Sequence, residues 1–284
     1  MTDQPFLTGL FGTSILASGS PQIHEAEADA QGVRLVYKLY DFAALGLGES
    51  DLPAMLDAAR LMGFAGLNIT HPYKQAVIPF LDALSEEAAT IGAVNTITFR
   101  DGKTKGYNTD CLGFGESLVR GLPGASFGRV VQLGAGGAGA AVAHALLGHG
   151  TGGLVIHDRE NGRAAELVAR LAGLYGAGRV ALGEDVAASI AAADGLVNAT
   201  PMGMAAHPGL PVPADALRPD LWVADIVYFP LETELLRRAR EAGCRTLDGS
   251  GMVVFQAAAA FDLFTGLASD RERMLASFRA TLKC

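Results

Sequence analysis

The feature that most constrains this chain is a glycine-rich segment, Gly134-Ala-Gly-Gly-Ala-Gly139, set between two apolar stretches. Residues 130–133 predict a buried strand, and residues 138–147 predict the helix that follows it. In the spacing G-x-G-x-x-G, the first glycine permits a tight turn, the second lets the backbone approach a pyrophosphate, and the third lets helix and strand pack closely. The segment therefore predicts a dinucleotide site at a helix N-terminus, with a purely structural glycine turn as the alternative.

An acidic residue stands where such a site needs one. The next predicted strand, residues 154–157, is followed by Asp158, Arg159 and Glu160. A carboxylate at this point accepts hydrogen bonds from the adenine-ribose hydroxyls, and two carboxylates together repel a 2′-phosphate. The sequence therefore predicts NAD, with NADP as the weaker alternative because Arg159 could pair with a phosphate. Alternatively, Asp158 and Arg159 only cap the helix after the strand.

Strand and helix patterns alternate along the whole chain, which predicts βαβ units and largely parallel sheets. The predicted strands are residues 6–11, 33–40, 66–69, 93–99, 130–133, 154–157, 195–198, 222–226 and 244–247. The predicted helices are residues 21–31, 52–62, 75–84, 86–91, 138–147, 161–172 and 254–267. We expect an α/β fold with two domains: a substrate-binding and catalytic domain over residues 1–120, and a Rossmann NAD-binding domain over residues 121–251. A C-terminal helix around residues 252–284 is expected to pack back on the first domain.

The composition of the chain limits the classes of partner that it is expected to bind. The 284 residues include 22 Lys and Arg against 30 Asp and Glu, a net charge of −8, and 50% are hydrophobic. An acidic chain without a basic block is a poor ligand for nucleic acid or anionic membranes, so we expect a small-molecule substrate. Cys111, Cys244 and Cys284 are too scattered for disulfides or zinc, and no metal is expected. With no signal-peptide pattern at the start, a cytoplasmic protein is predicted. The sequence leaves open whether it is a monomer or a homo-oligomer.

Polar residues cluster at three places in the first half of the chain. Asn68-Ile-Thr-His-Pro-Tyr-Lys74 follows a predicted strand, Asn95 and Thr96 lie in another, and Asn108-Thr-Asp110 is expected in a loop. The carboxyl ends of strands are where open α/β sheets bind ligands, and amide and hydroxyl groups suit a polyhydroxylated substrate. Each cluster alone is more typical of caps and turns, and Lys74 alone is typical of a solvated lysine. A pairing of Lys74 with Asp110 would make it a candidate acid–base group.

These residues belong to ordered motifs that resemble the shikimate dehydrogenase family. The resemblance spans most of the chain, and the amino-acid sequences of its motifs are most similar to those of the NAD-preferring quinate/shikimate dehydrogenases. Besides the segments above, the motifs are Gly92-Ala-Val-Asn95, Asn198-Ala-Thr-Pro-Met-Gly-Met204, Asp225-Ile-Val-Tyr228, Glu232-Thr-Glu-Leu-Leu236 and Gly251-Met-Val-Val-Phe-Gln256.

The resemblance implies reversible, NAD(P)-dependent oxidation of the C3 hydroxyl of shikimate or the equivalent hydroxyl of quinate. It implies Lys74 and Asp110 as the catalytic pair. The substrate-binding residues that it implies are Ser18, Ser20, Asn68, Thr70, Asn95, Tyr228 and Gln256. The expected cofactor-binding residues are Gly134, Ala135, Gly136, Gly137, Ala138, Gly139, Asp158, Arg159, Arg163, Thr200, Pro201, Met202, Met204, Gly251 and Met252.

Two departures from the family pattern bear on specificity. Where many members have Asn-Arg-Thr to hold an NADP phosphate, this chain has Asp158-Arg-Glu160, which favours NAD. The usual His-Ser-x-Ser-Pro is Ala17-Ser-Gly-Ser-Pro21 here, so quinate, shikimate and their amino analogues stay open as substrates. It also stays open whether Lys74 acts as a base or mainly as a cation.

Two other functions are compatible with parts of this pattern. A methylenetetrahydrofolate dehydrogenase shares the two-domain plan, but Ser18, Ser20, Asn95 and Gln256 fit a small hydroxy acid better. A non-catalytic NAD-binding regulator would be marked by loss of the Lys or the Asp, and this chain retains both.

Overall fold

A computed structural model describes residues 4–281. Cys284 and the outermost residues of the two predicted segments 1–120 and 252–284 lie outside that range. The chain divides into two compact units, one running up to Leu112 and resuming at Val254, the other spanning Gly113–Val253. No helix of the described part is both long enough and apolar enough to cross a membrane.

Strands and helices alternate through both units. The strands are β1 Phe6–Gly12, β2 Leu35–Asp41, β3 Phe64–Ile69, β4 Ala83–Leu84, β5 Thr96–Arg100, β6 Lys103–Tyr107, β7 Arg129–Leu133, β8 Gly153–His157, β9 Val180–Leu182, β10 Gly195–Asn198, β11 Trp222–Asp225 and β12 Arg245–Leu247. The α-helices are α1 Ser20–Ala30, α2 Phe42–Leu45, α3 Leu52–Leu61, α4 Glu86–Ile91, α5 Thr109–Gly121, α6 Gly137–Gly148, α7 Asn161–Tyr175, α8 Val186–Ala191, α9 Glu234–Glu241, α10 Ser250–Thr265 and α11 Arg271–Thr281.

The first unit is built on a mixed sheet in the order β2-β1-β3-β5-β6-β4. β1 is parallel to β2 and β3, whereas β5 is antiparallel to β3 and β6. Side chains alternate across β1, so Phe11 packs with Phe42 and Leu67 in one cluster and Leu10 packs with Phe261 in another. Both faces of the sheet are therefore covered by apolar side chains. The polar residues that follow its strands lie at the ends of those strands.

The second unit holds a parallel sheet in the order β12-β11-β10-β7-β8-β9. Its central strands carry apolar runs, such as Val130 and Val131 in β7 and Leu196 and Val197 in β10, all fully buried. Such runs are typical of strands covered by helices on both faces. The strand order reverses beside β7, and the glycine-rich segment follows β7 at this switch point.

Two sequence predictions for local structure in the first half are wrong. Residues 75–84 do not form an α-helix: they hold turns, a short 3₁₀ turn over Ile78–Phe80 and strand β4. Pro79 has no N–H to donate inside a helix, and β4 instead pairs with β6, which the sequence analysis did not predict. The predicted loop at residues 108–110 is also wrong, because Thr109 and Asp110 form the first turn of α5.

The C-terminal segment is two helices rather than one. α10 ends at Thr265, Gly266 follows with φ of +75°, and α11 begins at Arg271. A left-handed backbone at this point suits glycine and ends a helix. Near the end of α10 the ring of Phe264 lies directly over Gly66, where a Cβ would approach it to 2.1 Å.

Candidate active site

A lysine and an aspartate from distant parts of the chain meet in the first unit. The Nζ of Lys74 lies 2.6 Å from Oδ2 of Asp110, in a hydrogen-bonded ion pair. Lys74 lies in the turns after β3, where its carbonyl accepts from the N–H of Val94 at 2.8 Å. Asp110 lies in the first turn of α5, where the helix dipole favours a carboxylate. Side-chain exposures of 22% and 12% keep the pair partly desolvated but accessible to a small molecule.

Asn95 lies beside this pair with its amide oriented by three donors. Its Oδ1 accepts from the N–H of Thr109 at 2.7 Å and from the hydroxyls of Thr96 and Thr109, both at 3.1 Å. Its Nδ2 has no hydrogen-bond partner among residues 4–281. The amide nitrogen is therefore the end of Asn95 that remains to donate to a ligand oxygen.

The amide of Asn68 is oriented from the opposite direction. Its Nδ2 donates to the carbonyl of Asn95 at 3.2 Å and to the hydroxyl of Thr96 at 3.0 Å, and its Oδ1 accepts from the hydroxyl of Tyr37 at 2.8 Å. Because a carbonyl only accepts, the nitrogen must face Asn95, and Oδ1 keeps one acceptor position. The role of Tyr37 is not visible in the sequence, since an aromatic residue in a strand is typical of a core.

The remaining predicted substrate residues divide between the units. Ser18 and Ser20 lie at the start of α1, with the Ser18 hydroxyl donating to that of Ser20 at 3.0 Å. Thr70 follows β3 directly, and Oε1 of Gln256 lies 3.4 Å from the hydroxyl oxygen of Thr109. These residues lie in the first unit with Asn68, Asn95, Lys74 and Asp110. Tyr228 is 46% exposed in the second unit.

In the second unit, the glycine loop between β7 and α6 has the shape that a pyrophosphate requires. Gly134 has φ of +98°, and a Cβ there would lie 2.6 Å from the carbonyl oxygen of Ala199. A Cβ on Gly139 would lie 2.3 Å from the carbonyl oxygen of Gly134, so helix and loop touch backbone to backbone. Apart from adjacent residues and the backbone of α6 itself, no described atom lies within 4 Å of a Cβ built on Gly136 or Gly137, which leaves open space at the N-terminus of α6. The loop therefore fits a dinucleotide phosphate.

Asp158 follows β8 and its carboxylate is hydrogen-bonded on both oxygens. Oδ2 accepts from the N–H of Ala135 at 2.7 Å, and Oδ1 accepts from the N–H of Glu160 at 2.9 Å. Arg163, in α7, also donates to both oxygens. Although burial acts to raise the pKa of Asp158, the hydrogen bonds from Arg163 and the two backbone groups hold it below its usual value. Arg159 is exposed beside it.

The segment after β10 is organised by Asn198. Its Oδ1 accepts from the Thr200 hydroxyl at 2.6 Å, and its Nδ2 donates to the carbonyl of Met202 at 2.9 Å and to Asp225 at 3.0 Å. Pro201 and Met204 are exposed along this segment, whereas Gly251 and Met252 are buried at the start of α10. In the sequence Asn198 and Asp225 are visible only as parts of motifs, and in the structure their contacts make them the support of this segment.

Asp225 is a buried carboxyl group in the same network. It is 1% exposed and accepts from the hydroxyl of Thr233 at 2.7 Å and from the N–H of Val227 at 3.0 Å, in addition to Asn198. Burial raises the pKa of Asp225 to about 6, against the lowering effect of these hydrogen bonds. Among residues 4–281, no group of three or more His, Cys, Asp or Glu side chains is placed to hold a metal ion.

Comparison with known proteins gives one consistent result. Residues 10–97 match the model of the shikimate dehydrogenase substrate binding domain. The chain is 55% identical to a shikimate dehydrogenase (NADP⁺) of Streptomyces avermitilis, over 97% of this chain and 96% of that protein. It is 51% identical to a quinate/shikimate dehydrogenase (NAD⁺) of Corynebacterium efficiens, over 98% and 99% of the two chains. The structure of quinate dehydrogenase from Corynebacterium glutamicum in complex with NAD superposes with a TM-score of 0.93, at 48% identity over 97% and 99% of the chains.

A parallel sheet with a glycine loop at its switch point, together with a unit that carries a lysine–aspartate pair among oriented amides, defines a nicotinamide-dinucleotide-dependent oxidoreductase. The sequence identity to these relatives then identifies the family within that class. The chain belongs to the shikimate dehydrogenase family. The α/β fold class and the family resemblance predicted from the sequence are confirmed.

Proposed function

We propose that this protein oxidises the C3 hydroxyl of quinate, shikimate or both to the 3-dehydro ketone, reversibly and with NAD. The observation that carries the proposal is the 2.6 Å contact between Lys74 and Asp110 beside two amides of fixed orientation. Relatives of similar identity are named quinate/shikimate dehydrogenase (NAD⁺) and shikimate dehydrogenase (NADP⁺). Two structural neighbours are in complex with NAD, one named quinate dehydrogenase and one named shikimate 5-dehydrogenase, which supports the NAD assignment.

The preference for NAD rests on the carboxylates after β8. Asp158 and Glu160 lie where a 2′-phosphate of NADP would have to approach, and their charge opposes it. Arg159 and Arg163 are the neighbouring cations, and Arg163 is already committed to Asp158 at 2.8 Å. NADP is therefore the weaker cofactor in this proposal.

Lys74 and Asp110 are the proposed catalytic residues. NAD, when bound, accepts the hydride from the carbinol carbon of the substrate. During reduction the ammonium of Lys74 donates a proton to the carbonyl oxygen, and during oxidation Lys74 first loses a proton to water and, as the neutral amine, takes the hydroxyl proton. Asp110 holds Nζ in place, and the positive charge of Lys74 stabilises a developing alkoxide.

The fixed orientation of the two amides determines which group donates and which accepts in each proposed hydrogen bond to the substrate. Asn95 offers its Nδ2 as a donor to a substrate hydroxyl oxygen, and Asn68 offers its Oδ1 as an acceptor from a hydroxyl hydrogen. Ser18 and Ser20 bind the substrate carboxylate through their hydroxyls, and Thr70 and Gln256 bind further oxygens. Such a set suits a ring that carries several hydroxyls and one carboxylate.

The proposal assigns the substrate to residues 1–120 with the C-terminal segment 252–284, and the cofactor to residues 121–251. It places the protein in the cytoplasm, where NAD is held and where free thiols persist. Cys111 and Cys244 are both free, which supports a reducing compartment.

The test is the appearance of reduced nicotinamide absorbance with purified protein, with quinate and shikimate each crossed against NAD and NADP. We expect activity with NAD on at least one of the two acids. Activity with NADP alone would contradict the cofactor assignment. Inactivity in all four combinations by a folded protein would contradict the substrate assignment. In that case the amino analogues of both acids are the next substrates to test. Inactivity on these as well would favour a non-catalytic NAD-binding regulator.

A further inference from the structure

A polar side chain lies inside a central strand of the second unit. Gln132 is in β7 between Val131 and Leu133 and is fully buried. Its Nε2 donates to the carbonyl oxygens of Gly134 and Gly139, both at 2.8 Å. The two amide hydrogens of Gln132 thus bind the first and the last glycine of the cofactor loop.

This arrangement leaves the other end of the amide unsatisfied. Because both partners are carbonyls, which only accept, the nitrogen must face them and Oε1 must face away. Oε1 is buried and has no hydrogen-bond partner in the described range 4–281. An unpaired buried acceptor is unfavourable, and an apolar side chain of similar length would avoid it. The unpaired Oε1 is therefore the unfavourable consequence of directing the amide nitrogen of Gln132 to the loop.

The role follows from the peptide group that joins Gly134 to Ala135. In a trans peptide the C=O and N–H point in opposite directions. Here the carbonyl of Gly134 is bound by Gln132, and the N–H of Ala135 donates to Asp158 at 2.7 Å. This first peptide of the loop is therefore held at both ends. Without Gln132 the carbonyl loses its inward partner, and rotation of the peptide would turn an oxygen toward an approaching phosphate.

We propose that Gln132 is a positioning residue that holds the glycine loop in the form that receives the pyrophosphate of the dinucleotide. The inference rests on the proposed cofactor site at this loop. It assigns to Gln132 no contact with the cofactor, because the side chain is buried beneath the loop. Its effect is on the direction of the loop peptides, and thus on affinity for the nucleotide.

The experiment compares Gln132→Met and Gln132→Leu with the unaltered protein. Both variants remove the orphaned Oε1 but also leave the carbonyl of Gly134 without its donor, so these two effects oppose each other and we expect a melting temperature close to that of the unaltered protein. The Kd of NADH, measured by nucleotide fluorescence without substrate, is expected to rise about five- to tenfold, as loss of two hydrogen bonds that orient the loop implies. The KM of the acid substrate is expected to stay within about twofold.

Thr151→Val is the matched control. Thr151 lies in the same unit, beyond the other end of α6, and its Oγ1 is also buried without a partner among the described residues. Its replacement likewise removes a buried unsatisfied oxygen, so stability should hold or rise while the Kd of NADH stays unchanged.

The two readouts separate a positioning role from a structural one. Weaker NADH binding at undiminished stability in both Gln132 variants would support the inference. An unchanged Kd would overturn it, and so would a lowered melting temperature with parallel losses in NADH binding and substrate KM. Failure of the unaltered protein to bind either NADH or NADPH would overturn the proposed function itself, and the inference with it.

Discussion

The guanidinium of Arg163 lies against the carboxylate of Asp158, with Nη2 2.8 Å from Oδ1 and Nε 3.3 Å from Oδ2. Backbone N–H groups of Ala135 and Glu160 bind the same two oxygens. Each oxygen thus has two donors, which is the usual capacity of a carboxylate. A ribose hydroxyl that binds Asp158 would compete with Arg163, whose side chain is 45% exposed. Exchange at this ion pair is therefore part of cofactor recognition under the proposed function.

Replacement of Asp158 tests cofactor preference. In Asp158→Ala the ribose acceptor is gone, and Arg159 and Arg163 remain without the carboxylate that opposes a 2′-phosphate. We expect the ratio of kcat/KM for NAD to kcat/KM for NADP to fall by about tenfold or more. Glu166→Ala, which removes an exposed carboxylate from α7, is the control. An unchanged ratio in Asp158→Ala would refute the ribose role.

Replacement of Lys74 tests the acid–base assignment. Lys74→Ala removes the proton carrier, so we expect kcat to fall by about 10²-fold or more while the Kd of NADH stays the same. The control is Lys103→Ala, which removes an exposed lysine from β6 of the same unit. Turnover near that of the unaltered protein would exclude Lys74 from the chemistry.

Replacement of Tyr37 tests the orientation of Asn68. Tyr37→Phe removes the hydroxyl that donates to Oδ1 of Asn68, and we expect a loss of about 1 kcal/mol in the free energy of unfolding and a higher substrate KM. The effect on KM should largely vanish when Asn68 is already alanine, because Tyr37 acts through that amide. Tyr40→Phe, on the same strand, is the control. Equal effects of Tyr37→Phe with and without Asn68 would rule out this coupling.

The buried carboxyl of Asp225 predicts a pH dependence of stability. Its pKa of about 6 in the folded protein exceeds the value near 3.9 expected in the unfolded chain. The folded state therefore binds more protons between these values, and the contribution of Asp225 to stability falls as pH rises from about 4 to 6. Asp225→Asn mimics the neutral acid and lacks this dependence.

We expect the free energy of unfolding of the unaltered protein, minus that of Asp225→Asn, to fall by about 2 kcal/mol between pH 4.5 and pH 7. Denaturant unfolding of both proteins at the two pH values measures it. The comparison cancels His24 and His144, whose burial lowers both pKa values to about 4 and acts in the opposite sense. A difference that stays constant with pH would contradict the raised pKa.

Sequence patterns were sufficient where structure depends on neighbouring residues. The strand before Gly134 and the helix after it follow from local periodicity and from the backbone freedom of glycine, and the structure has both. The predicted helix at residues 75–84 was wrong. The apolar pattern of these residues is present, but Pro79 disfavours a helix and β4 pairs with β6 instead. β6 itself was missed, since a strand with two lysines is stable only beside its partners.

The site shows the same division. Gln132 is recognisable in the sequence as a polar residue within an apolar strand, whereas Tyr37 has the sequence pattern of an ordinary core residue. Asn68, Asn95, Lys74 and Asp110 were identified by residue type and by their order along the chain, which are properties of the sequence. Which amide nitrogen remains free, and which carboxylate oxygen is already bound, depends on partners that lie far apart along the chain. Lys74 and Asp110 are 36 positions apart and Tyr37 and Asn68 are 31 apart, so only the folded chain brings their charges and lone pairs within hydrogen-bond reach.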